Sequence, residues 1–112
     1  IGPRAGLAAA ARAVWERTSR PERGAEFRLF FAVYGRALQA PGAFADFLAH
    51  VVAAWMGTLI AAQPADLDES VAARRATLVI ASLRGLLADL LTTGDSERVH
   101  DAAEHFLASL EE

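Results

Sequence analysis

Apolar residues in this chain recur at steps of three and four, and the pattern breaks where proline, glycine and aspartate gather. Leu7, Ala11, Val14, Trp15 and Thr18 mark one face of a first helix running from about Pro3, a residue suited to a helix's first turn, to Thr18. Ser19-Arg20-Pro21-Glu22 then has the spacing of a capping box and predicts a second start. In that second helix Phe27, Phe30, Phe31, Tyr34 and Leu38 form a stripe that Leu29, Val33 and Ala37 widen. A face this broad should touch several neighbours. Pro41-Gly42 interrupts the pattern, and Phe44, Phe47, Leu48, Val51, Trp55 and Leu59 carry a third helix to about Gln63. Its composition predicts the most core-like helix of the set.

Pro64, Asp66 and Asp68 read as a loop whose aspartates cap a long fourth helix. That helix has a leucine-rich face, a strip of small residues (Ala81, Ser82, Gly85, Ala88) and a glycine stop at Gly94. Asp95 or Ser96 caps a fifth helix with Val99, Ala103, Phe106 and Leu107 on one narrow face. The Gly94-Asp95 link is short enough to make the last two helices antiparallel. No segment alternates with period two, so the fold class is all-α: a bundle of about five helices forming one domain over residues 1–112.

Composition narrows the functions open to this bundle. Hydrophobic residues at 54% against 22% charged give enough apolar surface for a single core, with a surplus that points to a partner. A net charge of −3 supplies no general attraction to nucleic-acid phosphates. The chain has no cysteine, which removes disulfides, thiolate metal sites and cysteine nucleophiles and suits a cytoplasmic protein. Phe47 to Gln63, the longest nearly uncharged stretch, is at the low edge of bilayer-spanning length and reads as a buried helix rather than a membrane segment. Ile1 is not an initiator methionine and no leader pattern opens the sequence, so the chain reads as trimmed from something longer.

Three stretches read together carry a family resemblance. They are Arg28-Leu29-Phe30-Phe31 through Tyr34-Gly35-Arg36-Ala37-Leu38, the helix from Pro41 to Trp55, and the closing pair from Arg75 to Leu110. The closing pair, a leucine-rich helix, a Gly-Asp turn and a shorter amphipathic helix, resembles the last two helices of TetR-type transcription repressors. The resemblance spans nearly the whole chain and rests on the order and lengths of helices rather than on a diagnostic motif. It implies an effector-binding and dimerisation domain, with DNA read by an N-terminal helix-turn-helix that these residues lack. In such proteins the last two helices pair with their symmetry mates as a four-helix bundle.

The sequence gives a physical reason to expect the same homodimer. Large apolar residues cover more than a third of the fourth helix, and its small strip lets another backbone approach. The expected contact residues are Leu78, Ala81, Ser82, Gly85, Ala88, Val99, Ala103, Phe106 and Leu107. For a small-molecule effector, the large apolar and soft side chains of the first three helices are the candidates: Trp15, Phe31, Tyr34, Phe47, Trp55 and Met56. An aromatic stripe at helical spacing is also what an ordinary core looks like, and a scaffold module without a cavity is the competing reading.

Enzymatic signatures are missing. Ser82 and Ser96 have no nucleophile-elbow setting, and no glycine-rich phosphate loop occurs. His100 and His105, five apart, point to different sides of a helix, so no metal and no cofactor is expected. Asp46 with His50, His100 with Glu104, and Asp101 with His105 are spaced for surface pairing, and Arg74, Arg75 and Arg84 for pairing with nearby carboxylates.

Overall fold

A computed structural model describes residues 4–40 and 42–112. Pro3 and Pro41, expected as a helix opener and a helix breaker, lie outside the described residues. Five helices follow in order: α1 (Ala5–Thr18), α2 (Gly24–Gln39), α3 (Ala45–Ala61), α4 (Glu69–Thr93) and α5 (Ser96–Ser109). No strand occurs among the described residues.

Local chemistry accounts for most of the boundaries. The Asp68 carboxylate accepts from the Ser70 amide at 2.8 Å and opens α4. Gly94 closes α4 in the left-handed region, φ 70°, and its N–H donates to Leu90 O. Asp95 accepts from the Arg98 amide and opens α5. The capping box expected at Ser19 does not form. Ser19 instead ends α1, its amide donating to Trp15 O, and Pro21–Arg23 closes a short 3-10 turn before α2. Phe44 precedes α3 at φ 59°, a left-handed conformation that is strained for an aromatic residue.

The long α4 is the axis of the molecule and contacts α1, α2, α3 and α5. Ala72, Ala76, Val79, Ile80, Leu83 and Leu87 are its buried residues. Ala11, Ala76 and Ala103 are wholly excluded from solvent on α1, α4 and α5, three helices in mutual contact. Side chains this small let helix axes approach closely. α4 is long and apolar enough to cross a membrane by length and composition, and 28% of its most apolar stretch is buried against the other helices.

α3 corrects one expectation. Only Leu59 of this apolar helix is buried; Phe47 is 52% exposed and Ile60 38%. The reason is that α3 packs closely on α1 and α4, while toward α2 it meets Phe30 through Trp55 and is otherwise separated from that helix by an open groove. Two tight joints hold it there. A Cβ on Gly6 of α1 would stand 2.2 Å from Ala62 O at the end of α3. Gln63, buried just beyond, donates from Nε2 to Leu59 O at 3.3 Å and to Ala72 O at 2.9 Å, bridging α3 and α4.

Candidate ligand cavity and contact face

Four helices line a small, partly open apolar cavity of about 30 Å³. Val14 and Thr18 come from α1, Phe30 and Phe31 from α2, Trp55 and Leu59 from α3, and Ile80, Leu83, Arg84 and Leu87 from α4. Its two polar side chains differ. The Thr18 hydroxyl turns back to donate to Trp15 O at 3.4 Å. The Arg84 guanidinium lies over the Tyr34 ring, 5.3 Å from its centroid.

Phe30 and Trp55 also belong to a second space, an open groove of about 390 Å³ between α2 and α3. Leu29, Val33, Phe47 and Val51 line it further out. The inner cavity alone is smaller than the roughly 150 Å³ that a benzene-sized guest occupies, whereas the groove falls within the roughly 300–1,000 Å³ of small-molecule sites. The Phe30 and Trp55 rings, 5.5 Å apart, form the partition between the two.

The sequence-derived candidates separate accordingly. Phe31 and Trp55 line the inner cavity, Phe47 and Trp55 the groove, and Tyr34 the rim beneath Arg84. Trp15 and Met56 do not join them. Trp15 is buried with its ring edge-on to His100, 5.4 Å away, beside a polar cleft that includes Arg12, Arg20 and Glu104. Met56 packs toward α4, its Sδ 3.7 Å from Thr77 Oγ1, whose hydroxyl donates to Ala73 O at 2.8 Å. Arg84 was expected to pair with a carboxylate, but it is absent from the ion pairs among the described residues. The sequence carried a signal for it: Arg84 sits between Ile80 and Leu87, at the i−4 and i+3 positions of an apolar flank.

The surface pairings also differ from expectation. Glu104 binds Arg12 rather than His100. Asp89 and Asp95 both converge on Arg98, fixing the α4–α5 corner. Hydrogen bonding to Arg98 holds the Asp89 carboxyl below its ordinary value, and bonding to Arg12 does the same for Glu104.

The expected contact residues divide by burial. Leu78 is 61% exposed, Ala81 and Gly85 are exposed, and Ser82, Ala88 and Phe106 are half-buried. Val99, Ala103 and Leu107 are buried within the single chain and have no surface to offer a partner. They form the face of α5 that closes on its own core, which corrects their assignment to an intermolecular contact. Leu78 borders a groove of about 230 Å³ shared with Leu7, Phe106 and Leu110, placing the start of α4 beside the end of α5 as an antiparallel hairpin requires.

Comparison with family models, curated proteins and solved structures finds no match for this chain. The resemblance to TetR-type repressors therefore stands on the residues quoted for it.

Proposed function

We propose that this chain is the effector-binding and homodimerisation domain of a TetR-like transcriptional regulator, with DNA bound by a helix-turn-helix outside these residues. The observation that carries the reading is the double role of α4. Ile80, Leu83, Arg84 and Leu87 wall an apolar cavity, while Leu78, Ala81 and Gly85 stand exposed on the same helix. A small apolar molecule that binds one arrangement of α1 to α4 more tightly than another would shift the population of the exposed face. In that way it would alter the spacing of two attached DNA-reading heads.

Sedimentation equilibrium over a wide concentration range, paired with thermal shift against neutral apolar compounds, tests this reading. The expected result is a dimer that Leu78→Arg weakens at least about tenfold, as a charge at the centre of an apolar contact should, together with a melting temperature raised by ligand. A monomer at every concentration with no ligand response would overturn it.

The second reading, a helical interaction module without a working cavity, is favoured by the exposed Leu29, Leu38, Phe44 and Phe47 on α2 and the start of α3. It predicts that no small apolar compound moves the melting temperature.

A further inference from the structure

We infer that the cavity takes an elongated apolar molecule ending in a carboxylate, with Arg84 holding the carboxylate and the tail passing Trp55 into the α2–α3 groove. This rests on the ligand-cavity reading above and adds the chemical class of the ligand.

The inference starts from charge. The chain has 14 acidic side chains to 11 basic ones, yet Arg84 lies within 4 Å of no carboxylate among the described residues. Positions 80, 81, 87 and 88, its neighbours one turn away on α4, are Ile, Ala, Leu and Ala. Asp89, the nearest acidic residue along the helix, is engaged by Arg98 through both of its oxygens. Arg84 is half-buried, and Thr18 is the other polar side chain of the cavity wall, so an anion from outside would be the first charged partner Arg84 meets among the described residues. The hydrogen bonds among the described residues use none of its donors, and Tyr34 meets the cation with a ring. The planar fork of N–H groups that matches a carboxylate therefore stays open.

Shape sets the remainder of the ligand. About 30 Å³ admits little more than a methylene group or two, so a guest must reach past the Phe30 and Trp55 partition. Trp55 is only half-buried, and a guest of this kind would have to turn its side chain aside to join the inner cavity to the groove of about 390 Å³. Leu29, Val33, Phe47 and Val51 then offer an apolar track. The head stays at Arg84 while the tail leaves between α2 and α3, a path that favours a flexible aryl or alkyl chain over a compact disc.

The test compares 4-phenylbutyrate with 4-phenylbutanamide, which share a tail and differ in charge, by calorimetry and tryptophan fluorescence. The proteins are wild type, Arg84→Gln and Arg84→Lys, each checked for an unchanged helical spectrum. Wild type should prefer the acid by about tenfold or more, the scale of a charge-assisted hydrogen bond. Arg84→Gln should abolish the preference for acid over amide, and Arg84→Lys should retain part of it. Equal binding of acid and amide by wild type, or a preference that survives in Arg84→Gln, overturns the carboxylate assignment while the cavity stands. Failure of both compounds to bind overturns the cavity reading along with it.

Discussion

Arg12 and Glu104, 92 residues apart in the chain, meet as a bidentate pair with N–O distances of 2.7 and 2.9 Å. The contact fastens α1 to α5 on the outside of the bundle, across from the α4 axis that both helices touch. Its side chains are 34% and 63% exposed, so solvent and salt weaken it, and its main effect is to fix register.

Acid should loosen this fastening and the Asp89–Arg98 corner together. Both carboxyls sit below their ordinary values of 4.5 for Glu104 and 3.8 for Asp89, because arginine hydrogen bonds favour the charged forms. A folded-state value below the unfolded one gives stability that is fully present above the unfolded value and disappears as pH falls through the folded one. Urea melts taken from neutral pH downward should thus show a steady loss starting near 4.5 and continuing below 3.8. A Glu104→Gln, Asp89→Asn double variant should lose less stability over the same range, and high salt should shrink the difference.

Gly6 offers a test in which the usual sign reverses. Alanine normally favours a helix by about 0.8–1.0 kcal/mol over glycine. At Gly6 the new methyl would meet backbone oxygen Ala62 O at 2.2 Å, so Gly6→Ala should destabilise by about 1–3 kcal/mol in chemical denaturation. Gly57→Ala, with no outside atom of the described residues within 4 Å of the new carbon, should stabilise instead. Two stabilised variants would mean that α1 does not seat on the end of α3.

Gln63 turns its amide nitrogen to two carbonyls and leaves Oε1 buried without a partner among the described residues. Gln63→Glu should place a carboxylate against the Leu59 and Ala72 oxygens and cost about 3 kcal/mol at neutral pH. The substituted carboxyl would titrate higher when folded than when unfolded, so its penalty should shrink as pH falls, opposite in sign to the acid loss above. A pH-independent penalty, or none, would show that the site is wet.

Burial separates two leucines that the sequence put in one group. Leu107 is 1% exposed and Leu78 61%. Leu107→Ala should cost about 2–5 kcal/mol of folding stability, whereas Leu78→Ala should cost much less. Denaturation at several protein concentrations, with sedimentation alongside, distinguishes folding loss from association loss. Weakened association in Leu107→Ala without loss of fold would contradict the packing described for α5.

Features encoded within a few residues were legible in advance. Asp68, Gly94 and Asp95 act as caps because capping is decided by a side chain and the next turn of backbone. The helix order followed from periodicity alone. Ser19 misled because Pro21 lets the next residues close a 3-10 turn, and the reciprocal bonds of a capping box have no helix start to join. Depth was harder to read. The apolarity of Phe47 and Ile60 says nothing about which sides of α3 find neighbours, and Val99 and Leu107 look alike whether they face their own chain or another. Of the ligand candidates, Phe31, Tyr34, Phe47 and Trp55 gather at the two adjoining spaces and their rim. Trp15 and Met56 diverge because each helix turns them toward a different neighbour. Arg84 reads from the sequence as one more surface charge paired with carboxylates, since the ring beneath it comes from another helix.

Arg84 and Gly85 are consecutive, yet a turn of about 100° per residue sends one toward the interior cavity and leaves the other in solvent. The consequence is a separation of heritable risk along α4. Replacements at Ile80, Leu83 or Leu87 reshape what the interior accommodates, and replacements at Leu78, Ala81 or Gly85 alter only what the exterior meets. A substitution on one side of α4 therefore leaves the side chains of the other side in place.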